Sequence, residues 1–145
     1  MSIIISIDPG KNKCGLIYAD AEKMKVFEAI VIESNLISQY IKEFKEKKVS
    51  FKVLVGNGTT SKIIIKSINA LNKNTIIVEE KNTTFRAKQR FFEIFPLKGY
   101  KRLLPREVFL LNKNLDAIAA LIILEDYLGC KFSLDESIGI KTWLK

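Results

Sequence analysis

The sequence predicts an α/β domain built on a mixed five-stranded sheet, three antiparallel N-terminal strands followed by two parallel ones, flanked by helices. Three observations predict it. Strand-like apolar runs follow one another closely at residues 3–7, 14–19 and 25–32, with connections short enough for hairpins and a meander. From residue 34 onward, stretches with apolar residues at helical spacing alternate with two more apolar runs, 51–55 and 75–78, as in parallel strands joined by crossover helices. The length of 145 residues suits one domain burying roughly 68–70% of its unfolded surface, and residues 1–145 contain neither repeats nor a low-complexity linker.

Ile3, Ile4, Ile5 and Ile7 surround the small polar Ser6, and the run stops at Pro9-Gly10. This reads as a buried strand, expected at the sheet centre, with Asp8 at its C-terminal end. A charge there is costly to desolvate unless something pairs with it; the plainer alternative is a turn-initiating Asp satisfied by nearby amides. The loop after it adds Lys11 and Lys13 beside Asp8. Ser34 or Asn35 is placed to cap a first helix whose apolar positions are Leu36, Ile37, Tyr40, Ile41 and Phe44. Thr59, Thr60 or Ser61 does the same for a second, carrying Ile64, Ile65, Ile68 and Leu71. The fifth strand ends in Glu79-Glu80, Thr83 caps a third helix, and Pro96 breaks it. A basic, irregular connection over 97–106 leads to a last helix over 115–124. The tail from residue 129 carries little signal beyond Trp143.

Composition narrows the chemistry. The chain contains no histidine, which removes the usual general base, the Ser-His-Asp triad and imidazole-bound zinc together. Cys14 and Cys130 are isolated and fit no metal spacing, as expected of reduced thiols in a cytoplasmic protein. No basic leader precedes the first strand, so nothing points to export. No apolar run approaches the ~18 residues of a membrane span. The net charge is +8, and residues 81–106 hold eight basic side chains (Lys81, Arg86, Lys88, Arg90, Lys98, Lys101, Arg102, Arg106) against one acid, Glu93. Phe85, Phe91, Phe92, Phe95 and Tyr100 are interleaved with them. A one-sided basic and aromatic stretch is the pattern of a polyanion-binding face; an amphipathic helix with a solvated lysine side is the bland reading.

Acids gather where ligands gather in open α/β sheets. Asp8 and Glu79-Glu80 stand at strand C-terminal ends, and right-handed crossovers bring those strands parallel on one side of the first. Strand alternation allows only one of Glu79 and Glu80 to face Asp8. Asp116 is the only charge between residues 115 and 124. In a first helical turn an Asp is favoured by the dipole alone, but Ala119, Ala120 and Ile123 continue its face, which turns it toward packed protein. Three such acids in a basic chain without histidine fit a divalent metal site.

Taken together, Ile7-Asp8-Pro9-Gly10 with Gly15, Val55-Gly56, Val78-Glu79-Glu80-Lys81-Asn82-Thr83-Thr84-Phe85-Arg86-Ala87 and Leu115-Asp116-Ala117-Ile118-Ala119-Ala120 resemble the YqgF branch of the RuvC-like Holliday-junction resolvases, over most of the chain up to about residue 128. Residues 79–87 follow that family's Asp-Glu-Arg-x-Thr-Thr-x-x-Ala motif with changes at Glu79 and Lys81. Asn57 and Ala119 stand where RuvC itself carries further acids, and the tail 129–145 lies outside the match. The resemblance implies an RNase H-like fold, Asp8, Glu80 and Asp116 as catalytic and metal-binding acids with Glu79 the alternative to Glu80, and Mg²⁺ or Mn²⁺ as cofactor. It implies an endonuclease acting on structured RNA or branched DNA, in pre-16S rRNA processing or junction resolution, with a homodimer among the arrangements such enzymes adopt. Lys11, Lys13, Lys81, Arg86, Lys88, Arg90, Lys101, Arg102 and Arg106 are the expected nucleic-acid contacts. A non-catalytic nucleic-acid-binding module on the same fold is the alternative; a sugar-kinase-like phosphate binder would need a second, similar domain for which the chain has no room.

Overall fold

The computed structural model describes residues 2–58, 60–71, 74–105, 115–134, 138 and 140–143. The three opening runs form β1 (Ile3–Asp8), β2 (Lys13–Asp20) and β3 (Lys25–Glu33), paired antiparallel in chain order. β4 (Phe51–Gly56) lies parallel to β1 on its other side, and β5 (Thr75–Val78) lies parallel beyond β4. This is the expected mixed sheet with β1 inside it. A short sixth strand, β6 (Lys141–Trp143), adds in parallel to the β3 edge, giving the order β5-β4-β1-β2-β3-β6. Three residues are too few to show a period, so nothing in the tail announced it.

Helices α1 (Ile37–Glu46) and α2 (Ser61–Asn69) cover one face of the sheet, and α3 (Thr83–Ile94) and α4 (Asp116–Leu128) cover the other. Strand alternation decides which side chain meets which layer. Ile3, Ile5 and Ile7 pack with Ile37, Ile41, Ile64 and Ile68, whereas Ile4, Ile17 and Leu54 pack with Phe91, Ile118 and Leu121. Residues 117–124 of α4 are buried all round, because this helix lies on the sheet and is flanked by α3. Each Leu or Ile buried there contributes roughly 1.5–3 kcal/mol.

The helix starts differ from the expected caps. Ser34 begins a 3-10 turn (Ser34–Leu36) ahead of α1, and its hydroxyl donates to the Gly10 carbonyl at 2.8 Å, so it ties down the loop after Asp8 instead of capping. Thr60 precedes α2 without a side-chain cap bond, and Ser61, already inside the helix, donates to the Gly58 carbonyl at 2.7 Å; Thr59 lies outside the described residues. Thr83 is the first residue of α3, not its cap. The cap position belongs to Asn82 in the left-handed region (φ 51°), a conformation Asn tolerates where the chain must reverse sharply. α3 ends at Ile94, two residues before Pro96, with Phe95 out of the helical region, as the restriction on pre-proline residues requires.

Candidate active site

Asp8, Ser6 and Ile4 share the α4-facing side of β1. Their cross-strand partners on β2 are Gly15, Ile17 and Ala19. On β4 the same side carries Leu54 and then Gly56, and on β5 it carries Ile76 and Val78. Continuing that alternation past the end of β5 carries Glu80 to the Asp8 side and turns Glu79 outward. The structure agrees: Glu79 is exposed, while the Glu80 carboxyl is hydrogen-bonded to that of Asp8. Glu80 reaches Asp8 by crossing over Gly56, where a Cβ would collide with Glu80 Oε1 and stand 2.8 Å from Ile123 Cδ1. Glycine at 56 is thus the floor on which this carboxylate rests.

Asp116 comes from the other layer. It opens α4, and its backbone carbonyl occupies the space a side chain on Gly15 would fill. Gly15 is the cross-strand partner of Asp8, so the close approach of helix and strand delivers the third acid to the same edge. Asp116 lies within electrostatic reach of Asp8 and of Lys13.

Burial drives the electrostatics. Asp8 is pushed up to about 8, first by burial, then by the shared hydrogen bond with Glu80, and then by the charges of Glu80 and Asp116. Asp116 is raised by burial, which Lys13 partly opposes. Glu80 Oε1 is buried with no hydrogen-bond partner among the described residues. An orphaned carboxylate oxygen beside a second carboxyl that holds its proton far above the ordinary range is a site short of positive charge. Among the described residues no three acidic or thiol side chains stand in ligating geometry, so the fit to a metal rests on the Asp8–Glu80 pair with Asp116 at longer range. That suits a hard divalent ion such as Mg²⁺, which keeps several waters and takes one or two carboxylates.

The floor can be tested directly. Gly56→Ala forces the flexible Glu80 side chain off its seat while leaving the backbone in place. It is expected to weaken Mn²⁺ binding about tenfold, the effect of losing a supporting contact, with a melting temperature within a few degrees of wild type; unchanged Mn²⁺ affinity in a titration would separate Glu80 from the site.

The basic residues divide into two groups. Lys11, Lys13, Lys81 and Lys88 are exposed, and the first three stand at the edge where the acids gather. Arg86 and Arg90 are committed elsewhere. Arg86 makes a two-pronged pair with Asp126 at 2.5 and 2.7 Å, which raises the guanidinium and lowers the carboxyl. Arg90 pairs with both oxygens of Glu125 at 3.0 Å, and also donates to Glu93 and to the Phe132 carbonyl. Its side chain is 13% exposed and that of Glu125 is 10%. Both arginines therefore bolt α3 to α4, and Arg90 also holds the start of the tail; Arg90 is nearly buried in its pair, whereas the Arg86 side chain stays 40% exposed beside Asp126. Phe91 and Phe92 are core residues, while Phe85 and Tyr100 are exposed. Arg102 is exposed and donates to the Leu97 carbonyl at 3.1 Å. Lys101 lies in the 3-10 turn Gly99–Leu103, and Arg106 lies outside the described residues.

Arg90→Met should cost about 3 kcal/mol, because it leaves the largely buried Glu125 carboxylate without its cation. A polyanion's affinity should keep the same dependence on salt. A midpoint shift in urea with an unchanged salt slope is the expected result; a flattened slope would return Arg90 to the binding surface.

Sequence reasoning passed over Ser6, Gly15 and Gly56 as site-forming residues and over the Arg90–Glu125 pair. The parity of β1, β2 and β4 around Asp8 carries the signal for the first three. The ion pair spans 35 residues and no local pattern points to it. No protein-family model matches the chain, and no curated protein is similar to it. Among solved structures, Thermus thermophilus RuvC in complex with a Holliday-junction substrate is similar with a TM-score of 0.48 at 14% identity, over 92% of this chain and 100% of that one. A second Thermus thermophilus RuvC structure gives a TM-score of 0.42 at 12% identity, over 94% of this chain and 85% of that one.

Proposed function

We propose that this protein is a divalent-metal-dependent endonuclease that hydrolyses phosphodiester bonds in structured nucleic acid, with Asp8, Glu80 and Asp116 as its metal-binding carboxylates. The observation that carries the reading is the Glu80 carboxylate seated over Gly56 against Asp8 with Oε1 left without a partner. Nothing in ordinary packing rewards holding two carboxyls together at a strand edge; a cation does. Bound there, Mg²⁺ or Mn²⁺ would supply an activated water and screen the phosphate charge. The chain's own contribution is positional. Asp8 and Glu80 aim oxygens from two strands, α4 adds Asp116, and Lys11, Lys13 and Lys81 form a cationic rim that draws a phosphate backbone to the acids.

The motif resemblance supplies two substrates, pre-16S rRNA as for YqgF-type proteins and the four-way DNA junction, the latter with a homodimer placing two such sites on one substrate. Incubation of wild type with each, and with a linear duplex, in Mg²⁺ or Mn²⁺ tests the proposal. Cleavage of one structured substrate that is lost on chelation and in Glu80→Gln is the expected result. Binding without cleavage in either metal would overturn it in favour of a non-catalytic module.

A further inference from the structure

We infer that Ser6 is a positioning residue of the carboxylate site: its buried hydroxyl, bonded to the Ala120 carbonyl, sets where α4 sits along β1 and so how Asp116 stands relative to Asp8. The inference rests on the metal-site reading above and adds to it a residue two positions from Asp8 that touches no ligand.

Ser6 is fully buried between isoleucines, in a strand where another apolar side chain would bury more surface. Its O–H donates to the Ala120 carbonyl at 2.7 Å across 114 residues of sequence. Both ends of this bond are one repeat away from an acid. Ser6 precedes Asp8 by two residues on the same face of β1, about 6.6 Å along the strand. Ala120 follows Asp116 by four residues, about 6 Å along the helix on the same side. Strand and helix run in opposite senses here, since the start of α4 meets Gly15 opposite the end of β1. The two spans are commensurate, so holding Ala120 at Ser6 brings Asp116 to the level of Asp8.

The rest of the contact cannot do this. Between the sheet and residues 117–124 the packing is Ala, Ile and Leu, whose attraction is non-directional and tolerates sliding. Gly15 permits the close approach without choosing a register. A short, buried hydrogen bond is directional and has one register.

Mn²⁺ affinity, followed by electron paramagnetic resonance of the free ion, decides the matter in four proteins: wild type, Ser6→Ala, Asp116→Asn and the double variant. Ser6→Ala should fold, because a carbonyl inside a helix keeps its own helical partner, and should bind Mn²⁺ about fivefold more weakly. Asp116→Asn should lose about tenfold, and the double variant should be no weaker than Asp116→Asn, since Ser6 acts only through that carboxylate. Unchanged affinity in Ser6→Ala, or losses that multiply in the double variant, would overturn the inference. Should Ser6→Ala not fold, Ser6→Cys, of the same shape with a weaker donor, takes its place in the same cycle. Asp8→Asn is the control for the underlying reading: if it binds Mn²⁺ like wild type, the metal site itself is wrong, whereas a loss there beside an unaffected Ser6→Ala removes Ser6 alone.

Discussion

Asp8→Asn is expected to make the metal-free protein more stable above neutral pH and to abolish its response to divalent cations. In the folded protein Asp8 holds its proton up to about pH 8, against about 3.9 for an unperturbed Asp. Between those values the folded state binds more protons than the unfolded one, so stability is fully present near pH 4 and is lost as pH rises toward 8. Asn does not titrate, and its amide can still donate to Glu80. The gain in the variant should therefore be small at pH 4 and grow to a plateau above pH 8. With the site partly open to solvent, the plateau is on the order of 2–3 kcal/mol.

Divalent ions should act in the opposite direction. A cation that binds only the folded wild type at a hundred times its dissociation constant stabilises it by about 2.7 kcal/mol, more at high pH because it must displace the Asp8 proton. Asp8→Asn should show almost none of this, and cleavage should fall by several kcal/mol of barrier, roughly a thousandfold. Urea unfolding at pH 5 and pH 8.5, with and without Mn²⁺, reads both halves. A variant that is less stable than wild type at pH 8.5 and still gains from Mn²⁺ would make Asp8 a turn residue and not a ligand.

Much of this site was legible in the sequence because strand alternation is a strict rule. Asp8 at the end of β1 and Asp116 at the start of an apolar helix were visible from local pattern; alternation left one of Glu79 and Glu80 to face Asp8, and because residues 76–78 are all apolar, only the seating of β5 beside β4 settles that it is Glu80. The charge pattern was incomplete for a physical reason. Arg86 and Arg90 look free in a stretch with one acid, but their partners Asp126 and Glu125 lie 40 and 35 residues away, on a helix whose sequence does not reveal which edge meets α3. The caps were missed on a smaller scale: a Thr at a helix start and an Asn just before it are both favourable, and only the sharp turn after Glu80 decides that Asn82 takes the left-handed position. Gly15 and Ser6 matter through what packs on them, which no single strand discloses.

Gly15→Ala should be the most damaging single methyl in the molecule's sheet. The added Cβ would fall on the Asp116 carbonyl and crowd Ala117 N. These are backbone atoms at the start of a helix whose next eight residues are buried, so no side chain can rotate away to make room. Either α4 lifts from the sheet, opening the packing of Ile118 and Leu121 on Ile4 and Ile17, or β2 shifts against β1. Overpacking of this kind costs about 1–3 kcal/mol and occasionally more, of which a Gly-to-Ala change recovers about 0.4–1 through the unfolded chain. A net loss of about 2 kcal/mol is expected, with Mn²⁺ affinity falling as Asp116 moves from Asp8. Gly58→Ala is the matched control: its Cβ would meet Pro9 Cγ at 3.5 Å and Glu80 Oε2 at 3.8 Å, ordinary contacts, and both stability and Mn²⁺ binding should stay near wild type. If Gly15→Ala unfolds at the same urea midpoint as Gly58→Ala, α4 does not rest on Gly15 and the delivery of Asp116 to the site by that contact is refuted.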